Sequence, residues 1–211
     1  LVSHSHNLAE AAKELALGVI EGSSLPIASC GGVGDAHEEL GTDATEILEA
    51  IESVASAEGV LILMDLGSAI LSAEMAIDLF EQELPVRLSP APLVEGAVAA
   101  AVQISMEQDL DTVYREALSA LEPKREQLSS QEPEAPSAQG LAGGSDGWVE
   151  RRFTIRTPHG LHARPAAQFV RAVGASGVPA EAAHSKKPER WVNAKSLNSI
   201  ATLQVRSGED V

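Results

Sequence analysis

The chain has 211 residues, 44% of them hydrophobic, with 17 glycines, one cysteine and a formal charge of −16, which allows one large domain or two small ones with buried cores. No apolar run approaches the roughly 20 residues needed to cross a bilayer, the first residues lack the basic start of a secretory signal, and the lone Cys30 cannot form an internal disulfide, so a cytoplasmic protein is expected. The charge is unevenly divided, with −18 on residues 1–128, −3 on 129–147 and +5 on 148–211; this favours encounter between opposite surfaces, and the basic part lacks the aromatic interleaving of a nucleic-acid binder.

In chain order, short buried strands are predicted at Leu1–Ser3, Pro26–Ser29, Val60–Met64 and Val86–Ser89. Helices are predicted between them. In TDATEILEAIESV, Thr42 or Asp43 caps a helix with Ile47, Ile51 and Val54 on one face; Ala69–Phe80, Leu93–Ser105 and Leu110–Leu121 follow. This alternation predicts an α/β domain over residues 1–128, a doubly wound, mainly parallel sheet with helices on both faces. Ligands of such sheets collect beyond the carboxyl ends of the strands, which gathers the loops 3–6, 30–34, 65–68 and 90–95.

From Glu122 the sequence loses its apolar periodicity and fills with Pro, Gly, Ser, Ala and Gln, so a flexible linker is expected, assigned to residues 129–147. Residues 148–211 form the expected second domain. WVERRFTIR reads as a strand, a helix runs through Val173, Val178–His184 and Arg190–Asn193 read as extended, LNSIATL is a short helix with Leu197 and Ile200 inward, and LQVRS opens another strand. Leu1 is no initiator and no closing helix precedes Val211, so a fragment at both ends is expected.

The stretch TPHGLHARPAA, residues 157–167, concentrates chemistry. Pro165 fits the first turn of a helix, placing His162 near free backbone amides that attract anions and favour a neutral, nucleophilic imidazole. Arg164 offers a planar fork for phosphoryl oxygens. The plain alternative is a capping histidine beside a solvated arginine. The whole context is more specific than that: GLHARPAAQFV, with AKSLNSIATL, resembles the phosphocarrier protein HPr of the bacterial phosphoenolpyruvate phosphotransferase system. The resemblance implies an α+β open-faced sandwich, phosphate on Nδ1 of His162 and assistance from Arg164. Ser196 matches a regulatory phosphorylation position in some members, although an ordinary helix cap is the preferred reading.

At the other end, His4 and His6 alternate after a strand, a pattern open to metal binding, but His37 sits in an acidic loop and no third ligand is evident. Alternatively Asp65, from a neighbouring strand end, holds one nitrogen of His4 and fixes its tautomer; as a simple turn residue in MDLGSA it reads equally well. VSHSHNLAE, GTDATEILEAIESV, GVLILMDLGSAILSAEMA and APLVEGAVAA resemble the mannose-type IIA domain found in the phosphotransferase subunits of phosphoenolpyruvate-dependent dihydroxyacetone kinases. That resemblance implies phosphate on Nε2 of His4 and a homodimer through this domain.

GGVGD lacks the Lys-Ser/Thr of a Walker loop, so ATP is not expected as a donor, and neither a metal nor a cofactor is expected on this chain. The resemblances imply a relay from phosphoenolpyruvate through enzyme I, His162 and His4 to ADP, which with Mg is held by the partner kinase subunit DhaL; DhaK is the other kinase subunit expected as a partner. The implied enzyme is a phosphoenolpyruvate-glycerone phosphotransferase. Two rivals are a IIA and carrier fusion serving a sugar permease, and a regulatory module that binds partners according to phosphorylation state.

Overall fold

A computed structural model of the chain describes residues 1–20, 24–129, 148–158, 160–161 and 163–211. The chain divides into two compact units, residues 1–121 and 122–211.

In the first unit, β1 (Val2–Ser3) pairs in parallel with β2 (Cys30–Gly31), and β3 (Val60–Leu63) pairs in parallel with β4 (Val86–Ser89). One parallel bridge, Val2 to Met64, joins the pairs and gives the spatial order β2-β1-β3-β4. The expected strand at Pro26–Ser29 appears further along, at Cys30–Gly31. In that register Val2 faces Cys30, so residues 26–28 have no counterpart in β1.

Helices cover both faces. α1 (His6–Val19), α4 (Leu93–Ile104) and α5 (Leu110–Leu118) pack on one side, where Ala12, Ala16, Ala97, Ala100, Ala101 and Ala117 bring the helices together around Leu63. α2 (Ala44–Val54) and α3 (Ser68–Leu79) pack on the other, closing Ile47, Ile51 and Ala73 over Val2, Val60 and Ile62. The local sequence explains the starts: Asp43 caps α2 by accepting from the amides of Thr45 (2.7 Å) and Glu46 (3.4 Å), and Asp109 caps α5 through Thr112. The last expected helix ends in a 3-10 turn, Ser119–Leu121.

The second unit opens with α6 (Glu122–Ser129), which lies in the stretch whose composition suggested a linker. Glu, Lys, Arg, Gln and Leu are good helix formers, and Pro123 is tolerated in a first turn, so local propensity prevails there. The expected domain limit at residue 128 falls inside this helix. α6 packs on α8 (Leu197–Thr202), and the Arg190 guanidinium lies 2.6 Å from Glu126 Oε2. The remainder of the linker, residues 130–147, lies outside the described residues.

α7 (Ala163–Gly174) also packs on α8, and β5 (Glu181–His184) with β6 (Lys187–Asn193) forms an antiparallel hairpin. Around Thr154, backbone bonds from Phe153 to Val211 and from Ile155 to Glu209 make a short antiparallel contact. This is all of the expected WVERRFTIR strand that pairs. The strand expected in LQVRS is absent, because Gln204 adopts φ 52°, which breaks an extended run. Ala167, Val170, Leu197, Ile200 and Val205 form the buried interior of this unit.

Candidate functional site

β1 leads through α1 to β2 on one side of it, whereas the chain returns to β3 on its other side. The adjacent carboxyl ends of β1 and β3 therefore form the point where the winding reverses, the position at which α/β sheets bind ligands. His4 follows β1 and Asp65 follows the Met64 bridge, so the topology brings them together across 61 residues of sequence.

Asp65 holds His4 twice. Its Oδ1 lies 2.9 Å from Nδ1 of the ring, and its Oδ2 accepts from the His4 backbone amide at 2.8 Å. Oδ2 also accepts from the fully buried Ser3 hydroxyl at 2.9 Å, and the Leu66 amide donates to Oδ1 at 2.7 Å. Burial alone would raise the Asp65 pKa, but these bonds from the His4 ring and amide, Ser3 and Leu66 together hold it below the ordinary carboxylate value.

An ionised carboxylate accepts only, so Nδ1 carries the proton and the neutral ring presents its lone pair at Nε2. There the Ser68 hydroxyl lies 2.8 Å away. Ser68 begins α3, so a group placed on Nε2 meets both this hydroxyl and the N-terminal end of a helix, whose dipole favours negative charge; the Ala69 and Ile70 amides there already donate to the Leu66 and Gly67 carbonyls. The His4 ring is 20% exposed. That exposure leaves an incoming phosphorus a path to Nε2.

Neighbouring backbone fixes the histidine's height. The Gly41 amide donates to the His4 carbonyl at 2.9 Å, and a Cβ at Gly31 would collide with the Ser3 carbonyl, so only glycine lets β2 approach β1 this closely. His6 takes another course: it opens α1, and its ring stacks on His37 with centroids 5.3 Å apart. Among the described residues, no group of three or more His, Cys, Asp or Glu side chains is arranged to hold a metal ion.

In the second unit, His162 lies outside the described residues. Arg164 is the second residue of α7 and exposed. The turn that leads there is anchored at Gly160, which has φ 80° and donates to the Thr157 carbonyl at 3.0 Å; a Cβ there would meet the Val205 carbonyl. Leu161 in turn donates to that carbonyl at 2.8 Å. Ser196 is 4% exposed and its hydroxyl accepts from the Ser199 amide at 3.1 Å, the geometry of a helix cap.

Sequence reasoning placed the loop 65–68 at the site but gave Ser68 and Ser3 no role. The available signal was spacing: Ser68 follows Asp65 by three residues at the start of an apolar helix, and Ser3 directly precedes His4.

Residues 1–114 match the family described as "PTS system fructose IIA component". The chain belongs to this family. Residues 149–211 match a second family, described as "PTS HPr component phosphorylation site". The whole chain is 42% identical over 214 residues to the phosphoryl donor subunit DhaM of a PEP-dependent dihydroxyacetone kinase from Pantoea ananatis, covering 100% of this chain and 44% of that relative. A DhaM from Listeria innocua is 40% identical over 118 residues, 55% of this chain and 92% of its own length. The phosphocarrier protein HPr of Streptomyces coelicolor is 44% identical over 63 residues, 30% of this chain and 66% of its own. The chain spans less than half the length of the longer curated relatives it matches. Among the described residues, no helix is long and apolar enough to cross a membrane.

Proposed function

We propose that the chain is a phosphohistidine relay of a phosphoenolpyruvate-dependent dihydroxyacetone kinase. Enzyme I, charged by phosphoenolpyruvate, phosphorylates His162; the group passes to His4 and then to ADP on the kinase subunit, which phosphorylates dihydroxyacetone. The observation that carries this reading is the tautomer imposed on His4 by Asp65, taken with similarity to DhaM subunits along the whole chain. Under this reading the chain needs no nucleotide, metal or cofactor of its own; ADP and Mg belong to the partner. Cytoplasmic location and a homodimer through the first unit are parts of the same proposal.

In the transfer to His4, the Nε2 lone pair attacks phosphorus while the P–N bond to the donor imidazole breaks, and the bonding electrons return to that nitrogen. The new phosphoimidazole keeps its Nδ1 proton, and Asp65 stabilises the positive charge that builds on the ring. Ser68 rotates its hydroxyl from Nε2 to a phosphoryl oxygen. No atom of the site must travel far, so positioning and charge supply most of the acceleration. Arg164 would serve the corresponding charge at His162.

The test uses labelled phosphoenolpyruvate, enzyme I and the kinase subunits with the His4→Ala chain. Label should reach His162 and stop there, with dihydroxyacetone phosphate formation abolished. Normal labelling of ADP would overturn the order of the relay. The family description, which names a fructose IIA component, also favours a second reading, a donor to a sugar permease; under it, label would pass from His4 to a sugar-specific IIB domain and not to ADP.

A further inference from the structure

The loop between β2 and α2 is bonded to the reacting histidine at its base and to α1 at its tip. Residues 32–41 double back on themselves: the Gly32 amide donates to the Gly41 carbonyl at 3.1 Å, and Val33 and Glu39 exchange backbone bonds at 2.9 and 3.3 Å. The base reaches the site. The Gly41 amide donates to the His4 carbonyl at 2.9 Å, and the next residue, Thr42, has its hydroxyl 2.8 Å from that of Ser72, one turn of α3 beyond Ser68. A shift of this loop therefore reaches both the backbone of His4 and the helix that presents a hydroxyl to its Nε2.

The tip is held in an uncommon shape. His37 has φ 53°, in the left-handed region that side chains seldom adopt, and its amide closes a turn on the Gly34 carbonyl at 3.0 Å. Such a conformation persists where its surroundings over-determine it. Two contacts do so here. The His37 ring stacks on that of His6, the first residue of α1, with centroids 5.3 Å apart and planes 23° from parallel, and its Nδ1 lies 3.4 Å from Glu46 Oε1 in the first turn of α2. His6 is two residues past His4, so the stack ties the tip to the same short stretch whose carbonyl the base already holds.

We propose that His6 and His37 are positioning residues for transfer at His4: their stack clasps residues 32–41 so that Gly41 and Thr42 hold the His4 backbone and α3 in register. The inference rests on the reading of His4 as a phosphoryl acceptor, and it gives a role to the second histidine of VSHSHN. The His4 ring has its own partners in Asp65 and Ser68, so the clasp acts through the backbone. An aromatic ring without nitrogens can therefore stand in for His6.

The experiment follows single-turnover labelling of the full chain with enzyme I and labelled phosphoenolpyruvate in rapid-quench mixing, separates His162 from His4 by peptide mapping, and reads hydrogen exchange at the Gly41 amide. His6→Ala and His37→Gly both suit the backbone at their positions, so each removes the stack without imposing strain. In both chains label should reach His162 at the normal rate and His4 about 10-fold more slowly, with faster exchange at Gly41. The double variant should be no slower than either single one, because both remove the same contact. His6→Phe, which keeps a ring against His37, should return transfer and exchange to the values of the unaltered chain. Equal loss in His6→Phe and His6→Ala overturns the clasp, since the imidazole and not the stack would then be required. Normal labelling of His4 in every folded variant, with only the melting curve lowered, assigns the stack to stability alone; it too overturns the clasp and leaves the relay standing. Absence of label on His4 in the unaltered chain overturns both.

Discussion

Asp65 Oδ1 lies 2.9 Å from His4 Nδ1 while its Oδ2 accepts from the His4 backbone amide at 2.8 Å, so one carboxylate fixes both the ring and the chain that carries it. A side chain held at both places has little freedom to turn its wrong nitrogen outward. Asp65→Asn can present its amide N–H to Nδ1 and thereby select the tautomer that protonates Nε2. Phosphorylation of His4 should fall about 10- to 100-fold, the usual loss when a group that orients a histidine is changed. Single-turnover labelling measures it, and a rate within twofold of the unaltered chain would show that Asp65 does not set the tautomer.

Ser68 contributes one neutral hydrogen bond at Nε2, worth about 1 kcal/mol. Ser68→Ala should therefore slow transfer by roughly fivefold, far less than Asp65→Asn. Its effect should reach both directions of transfer, because the hydroxyl contacts the phosphoryl group in the shared transition state. A loss confined to one direction would argue against that contact.

Gly31 tests the backbone beneath the site. A methyl group there meets the Ser3 carbonyl, so β2 must move away from β1 or β1 must shift. Gly31→Ala should destabilise the first unit by about 1–3 kcal/mol, seen as a lower urea midpoint. Because His4 follows Ser3 directly, labelling of His4 should drop in the same variant under conditions where it remains folded. A chain that kept both properties would show that this close approach is dispensable.

The second unit offers a pH test. Glu209 is held at about 2 by a hydrogen bond from the Lys186 ammonium, then by the Arg206 amide and the His184 ring. Its folded-state pKa is depressed from the ordinary 4.5, so its stabilising contribution is complete above about pH 4.5 and is lost as pH falls toward 2. The urea midpoint of this unit should decline across that window in the unaltered chain. Glu209→Gln should be less stable at pH 6 and show a flatter decline; parallel profiles for the two would refute the linkage.

Much of the first unit is legible in the sequence because its signals are local. Asp43 before TEILEAIESV, the apolar runs at Val60 and Val86, and the glycine-bounded turns each prescribe one element, and the alternation prescribes the sheet. His4 and Asp65 are legible as candidates for the same reason, since both end a strand. Their contact is not local: it depends on the Val2 to Met64 bridge, which no spacing in the sequence encodes. Ser68 escaped because a helix-start serine looks the same whether or not an imidazole stands opposite. In the second unit, alternation in WVERRFTIR reads as a full strand, but pairing requires a partner, and only residues around Thr154 find one. α6 was obscured by composition: its polar residues resemble a linker when averaged with the Pro- and Gly-rich residues that follow.

Among the described residues, the bridge between Val2 and Met64 is the one strand bridge across the seam between the two strand pairs, and the Asp65 amide donates across it to the Val2 carbonyl at 3.2 Å. Opening that seam parts His4 from Asp65, so the amide of Asp65 is a built-in gauge of whether the reactive pair is assembled. A phosphoryl group bonded to His4 and hydrogen-bonded to Ser68 would tie one bank of the seam to the other. Hydrogen exchange at this amide should consequently slow on phosphorylation, making the charged chain tighter at its centre than the uncharged one.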